Sequence, residues 1–263
     1  MTSISQACRA VLLTSEPLVK VKAARATARA WRRDELSFAF DATMPDAPAR
    51  PERPELLPPS HMPKRGRAGS ERSRIALLHA LAHIEFSAID LAFDLIGRFG
   101  ARFPRTFVDD WIAVGADEAI HFAMLDRRLK TLGGAYGDLP THAGLWEAAA
   151  ATAHDPLARL AVVPTVLEAR GLDVTPATVA ALERAGDFRS AAILNRIYRD
   201  EIRHVAAGVR WFHFACESLP KPPAEIWKRL VRKHFRGVLK PPFNDSARDE
   251  AGLSREFYGG LAR

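Results

Sequence analysis

Two hexapeptides, DEAIHF at 117–122 and DEIRHV at 200–205, place Asp-Glu-x-x-His inside stretches that otherwise read as buried helix. Residues three apart on a helix share a face, so Glu118 and His121 point one way, and so do Glu201 and His204. Each glutamate stands where its apolar stripe calls for a hydrophobe. Glu118 lies four residues after Val114 and seven before Leu125, and Glu201 interrupts the series Leu194, Ile197, Gly208, Trp211. Two further glutamates behave alike: Glu85 sits between Leu81 and Ala88, and Glu168 lies four residues after Pro164. An ionised carboxylate in a core is very costly unless its charge is compensated. Four of them call for a concentrated positive charge, which a metal ion supplies. Four carboxylates and two neutral imidazoles suit iron or manganese better than zinc, and two divalent ions balance four negative charges.

The spacing is an independent check. Glu85 to Glu118 is 33 residues, Glu168 to Glu201 is also 33, and a shift of 83 carries Glu85, Glu118 and His121 onto Glu168, Glu201 and His204. A single Glu-x-x-His on a helix is common by chance. Two in register, each preceded by a core glutamate at the same distance, describe the halves of a pseudo-twofold site for two metal ions, iron or manganese.

The elements that must hold these residues are helical. Apolar residues recur at helical spacing over 73–99 and 106–133, the second run stopping at Gly133-Gly134. A third stretch covers about 145–170, bent by Pro156 and Pro164; a turn and short helix follow, and a fourth long helix spans about 188–218. The expected fold is all-α, a four-helix bundle with extra N- and C-terminal helices. The organisation reads as an N-terminal helical arm at 1–40, a Pro-rich connector at 41–72, the bundle at 73–218 and a basic C-terminal helical extension at 219–263. Seven prolines between Pro45 and Pro63 make the connector extended, either wrapped on the next domain or loose.

Composition narrows the class. The 263 residues are 48% hydrophobic and 26% charged, ordinary for a globular chain. No uninterrupted apolar run approaches the roughly 20 residues that span a bilayer, the N-terminus does not read as a secretory signal, and Cys8 and Cys216 match no disulfide or zinc pattern. A cytoplasmic protein with no membrane partner is expected. The formal charge of +7 sits in the arms: residues 1–74 carry 14 basic and 8 acidic groups, 221–263 carry 10 and 5, and 75–220 carry 14 and 18. That distribution is compatible with an anionic partner such as RNA, although basic arms are more often simply solvated.

The stretches LLHALAHIE, DEAIHF, VVPTVLEARGLDVTP, RDEIRHV and PPFN resemble the bacterial family of unknown function called DUF455, over about residues 7–253. The residue set also resembles the ferritin-like di-iron carboxylate superfamily, which implies a ferritin-like bundle with Glu85, Glu118, His121, Glu168, Glu201 and His204 as ligands. The same resemblance implies that Asp117 and Asp200 accept the far N–H of a ligand histidine, the alternative being that both are solvent-facing helix charges; Arg203 or Arg199 is placed to pair with such an aspartate. Tyr198, three before Glu201, is either a hydrogen-bond donor near the metals or an ordinary half-buried tyrosine. His79 and His83 are four apart, but His83 lies about 200° around the helix from Glu85 and reads as a core hydrogen-bonding residue rather than a ligand. His142 lies in a loop where it either gates the site or is merely exposed. The activity these residues imply is an O2-dependent oxidase or oxygenase, using an electron donor and acting on a small molecule or on RNA in the manner of a tRNA hydroxylase. A ferroxidase or storage protein and a metal-stabilised scaffold are the alternatives.

Overall fold

The computed structural model describes residues 1–62 and 69–261; Pro63 and the basic residues Lys64, Arg65 and Arg67 lie outside it. The described residues are all-α, with no β-strand and only two isolated bridges, Ser3–Ser37 and Leu56–Thr141. The chain divides into two compact units, Met1–Trp146 and Glu147–Arg263, so the division falls inside the 73–218 stretch rather than at its ends.

The first unit holds α1 (Ile4–Leu12), α2 (Pro17–Arg32), α3 (Glu71–Phe99) and α4 (Arg105–Thr131). A capping box between Ser3 and Gln6 starts α1, a helix that periodicity over so short a span does not announce. Another, between Ser70 and Ser73, starts α3. Over Glu71–Arg102 the chain is long and apolar enough on average to cross a membrane, with mean hydropathy 1.5, yet 72% of that window is buried inside the protein. It also carries buried His79, His83, Glu85, Asp90 and Asp94, so it is a core helix with embedded polar groups.

The Pro-rich connector is an ordered strap over its described part. The Asp41 carboxylate accepts from Ser3 and Ser5, Arg98 donates to the Pro45 carbonyl, and Trp146 donates to that of Asp46. Farther along, Ala49 N–H reaches the Leu12 carbonyl, and residues 55–57 exchange backbone bonds with Thr141. Proline-rich chain cannot satisfy its own backbone, so its carbonyls are met by side chains and backbone from the helices it crosses.

The second unit carries α6 (Pro156–Val162), α7 (Ala169–Arg184), α8 (Phe188–Cys216), α9 (Pro223–His234), α10 (Asp245–Glu250) and α11 (Arg255–Tyr258); α5 (Gly144–Ala151) straddles the division. The expected third helix over 145–170 is in fact α5, a break at 152–155 capped by Asp155, then α6 and a π-helical segment, Val163–Glu168. The turn expected at GLDVTP is absent, and α7 runs through Gly171 and Pro176. Both prolines leave a carbonyl four residues back without its usual donor. For Pro164 that carbonyl is Leu160, and Thr165 Oγ1 donates to it at 3.1 Å and to Ala161 at 2.8 Å. For Pro176 it is Leu172, which accepts from Asn244 Nδ2 at 3.1 Å. The defects are filled by side chains, and the helical path continues. On α9, Trp227, Leu230 and Val231 are buried while Arg229, Arg232 and Lys233 are exposed.

Candidate metal centre

In the first unit, α3 delivers Glu85 and α4 delivers Glu118 and His121. One ligand atom from each lies within 4.8 Å of the others. His121 Nδ1 is 3.2 Å from Glu85 Oε2 and 3.5 Å from Glu118 Oε2. The three are 5%, 1% and 0% exposed, so solvent does not relieve their charges. Burial above all, then the neighbouring Glu118 charge, pushes the Glu85 carboxyl well above its ordinary range, with His121 acting in the opposite sense. Two carboxylates and an imidazole gathered in one dry volume are the donors a divalent cation takes up, and a cation would release the proton that burial forces onto Glu85. The donor set fits a metal.

In the second unit, α8 carries Glu201 and His204, with His204 Nδ1 3.4 Å from Glu201 Oε1 and both residues buried. Glu168 is half-buried and ends the π-helical segment. An extra residue in a helical turn rotates everything after it, and such insertions mark functional positions more often than chance. This one is held from three sides. Thr165 fills the gap left by Pro164, Trp227 Nε1 donates to Thr165 Oγ1 at 2.7 Å, and Pro164 lies against Gly208, where an added Cβ would meet Pro164 Cβ at 2.5 Å. Thr165 and Trp227 were invisible as site-shaping residues in the sequence, because their meeting depends on a contact 62 residues long.

The remaining site candidates are placed as follows. Asp200 is 2% exposed and accepts from Arg196 Nε and Arg203 Nη2, each at 2.6 Å. Arg199 instead donates to the Asn195 carbonyl one turn back. Asp117 is half-buried on α4, beside Glu118. The Tyr198 hydroxyl accepts from Asn244 Nδ2 at 2.9 Å and is half-buried. His79 and His83 are occupied by protein partners: His79 Nε2 accepts from Gly137 N–H, and His83 meets the Tyr136 hydroxyl and the His142 carbonyl. His142 is half-buried and its Nδ1 accepts from Gly144 N–H.

The C-terminal extension is tied to α7. Arg248 makes two 2.8 Å bonds to Asp173, both residues buried, while Asn244 N–H donates to the same carboxylate and Arg170 donates to the Lys240 carbonyl. The GLDVTP and PPFN stretches therefore meet in space.

An all-α chain with a buried carboxylate–imidazole triad is the class these observations define. The chain belongs to the family described as "Protein of unknown function (DUF455)", which matches residues 13–259. It is 43% identical over 213 residues to an uncharacterized protein of Haemophilus influenzae, covering 79% of this chain and 74% of that protein. No solved structure matches it.

Proposed function

We propose that the chain is a dinuclear metal oxidoreductase that activates O2, with Glu85, Glu118, His121, Glu168, Glu201 and His204 forming one centre in a ferritin-like four-helix bundle. The observation that carries this reading is the buried Glu85–Glu118–His121 triad, whose donor types repeat in the same order 83 residues later. Two iron ions are the expected occupants; manganese or a mixed manganese–iron pair suits the same donors. Bound ferrous ions would supply the electrons that reduce O2, and an external donor would restore them.

The chain's own groups do the rest. The four carboxylates neutralise two divalent charges. His121 and His204 hold neutral nitrogens towards the centre, and Asp117 and Asp200 steady those rings from behind, with Arg203 and Arg196 fixing Asp200. Glu85 gives up a proton when the cation arrives. The irregular backbone ahead of Glu168 is where substrate enters on this reading, and Tyr198 stands one turn before Glu201. The substrate is a small molecule or an RNA, the latter held by the basic arms in a cytoplasmic setting.

Protein isolated from iron-supplemented cells is expected to contain about two ions per chain. Substrate-dependent O2 uptake then supports the oxidoreductase. Iron loading far above two ions per chain would point to storage, and metal without O2 consumption to a scaffold. A chain that stays metal-free under reducing, iron-replete conditions sinks the proposal.

A further inference from the structure

Glu168 lies between two braces, and both come from the C-terminal extension. On one side Pro164 packs against Gly208 of α8, and Trp227 Nε1 holds the adjoining Thr165 hydroxyl at 2.7 Å. On the other, Asn244 joins α7 to α8. Its Nδ2 donates to the Leu172 carbonyl at 3.1 Å and to the Tyr198 hydroxyl at 2.9 Å. Contacts that pair 164 with 208 and 172 with 198 make the two segments antiparallel. Four residues in from either contact stand Glu168 on one side and His204 or Ile202 on the other. His204 is at that level of α8 and Glu201 adjoins it, so the braces bracket all three residues of the second half-site, within the second unit.

The orientation of the Asn244 amide is fixed by its other contacts. Its Oδ1 accepts from Ala247 N–H and from the Ser246 hydroxyl at the start of α10, which leaves Nδ2 to face α7 and α8. Its backbone N–H donates to Asp173 Oδ1 at 3.0 Å. The same carboxylate takes two 2.8 Å bonds from Arg248, one turn farther along, and that guanidinium lies over the Phe243 and Tyr258 rings. The vacancy left by Pro176 accounts for the bond to Leu172 and for nothing more. The bond to Tyr198 repairs no backbone defect; it ties α7 to α8 one turn before Glu201. Metal ligands on different helices bind well only at a fixed separation, and removing the groups that hold them from behind weakens binding about 10- to 100-fold.

We propose that Asn244 is a positioning residue for the second half-site: by bridging Leu172 and Tyr198 it sets α7 against α8, and so the separation of Glu168 from Glu201 and His204. This rests on the metal reading of those three residues and gives the C-terminal extension a part in it.

The test is anaerobic equilibrium dialysis of the full chain against Fe2+, with the thermal midpoint of the metal-free form measured alongside. The wild-type chain should take up about two ions. Asn244→Ser keeps an oxygen that can cap α10 but is too short to reach Leu172 or Tyr198, and it should weaken iron binding about tenfold. Adding Pro176→Ala returns a backbone N–H to the Leu172 carbonyl, so the midpoint should recover while the affinity stays low. That double variant carries the same comparison should Asn244→Ser alone not fold. Affinity that recovers together with the midpoint would reduce Asn244 to a filler of the proline vacancy and overturn the proposal. Binding by Asn244→Ser within about twofold of wild type would overturn it equally. A wild-type chain that takes up no iron instead overturns the metal reading itself, and the proposal falls with it.

Discussion

The two candidate half-sites present the same residue types on differently built helices. In the first unit Glu85 sits in the middle of α3, a 29-residue helix with no interruption, and Glu85, Glu118 and His121 are all buried. In the second, Glu168 ends a π-helical segment that begins beside Pro164, and it is half-buried. Equal spacing in sequence therefore does not mean equal backbone. A carboxylate on a regular, buried helix has few places to go, whereas one at the end of an irregular turn can change direction for the cost of a local rearrangement. On the proposed function the contrast translates into different duties: the first half would fix a cation, and the second would accommodate changes in what the cation binds.

The largest effect expected on that comparison comes from removing one carboxylate from each half. If the halves form one centre, Glu118→Ala and Glu201→Ala should each bring the chain from about two bound ions to below one, read by metal analysis. Loss of a single ion in each variant would show two independent sites and dissolve the comparison.

A smaller effect separates the two backbones. Gly208→Ala puts a methyl group 2.5 Å from Pro164 Cβ, on a ring fixed in the helical path, whereas Gly115→Ala meets the edge of the Phe93 ring at 2.7 Å. Overpacking of this kind costs about 1–3 kcal/mol. Gly208→Ala should fall at the upper end and also lower metal affinity through Glu168, while Gly115→Ala should lower stability alone. Denaturant unfolding with and without metal distinguishes them, and equal metal affinity in the two variants would count against a special role for the π segment.

The smallest effect is a dependence on pH in the metal-free form. Glu85 holds its proton in the folded chain well above the ordinary carboxyl value of 4.5. Its contribution to stability is therefore complete below that value and is lost as pH rises towards and through the folded pKa. Asp90, pushed up to about 6, acts in the same direction but is spent by pH 7, and His83, held down at about 3 against an ordinary 6.5, matters only on the acid side. As pH rises above the ordinary carboxyl range the metal-free chain should lose stability, and Glu85→Gln should flatten that slope. A slope unchanged by Glu85→Gln would remove the buried carboxyl as its source.

What could be read from the sequence divides along the same line. α3, α4 and α8 announce themselves by apolar stripes, and glutamates that break a stripe stand out against it. Helix α7 and the π segment do not, because Pro164, Gly171 and Pro176 are local stop signals whose cancellation comes from Thr165 and from Asn244, the latter 72 residues from the carbonyl it satisfies. The buried ion pairs were hidden for a related reason. Lys20 and Arg248 occupy positions where a charged residue normally marks a solvated face, and only the tertiary partner, Asp90 or Asp173, reveals the burial. The strap was half legible: its extended character follows from proline content, but its attachment to α1, α3 and the Thr141 loop does not.

The bond from Asn244 to the Leu172 carbonyl has an evolutionary consequence. Pro176 creates the vacancy that Asn244 fills, so the two positions should change together among relatives. Where another residue stands at the position of Pro176, the backbone supplies its own donor and the asparagine is freed from one of its constraints. Its remaining ties, to Tyr198 and Asp173, then decide whether it persists. Joint variation at these positions across an alignment would trace how a proline that ought to have ended a helix came to be tolerated.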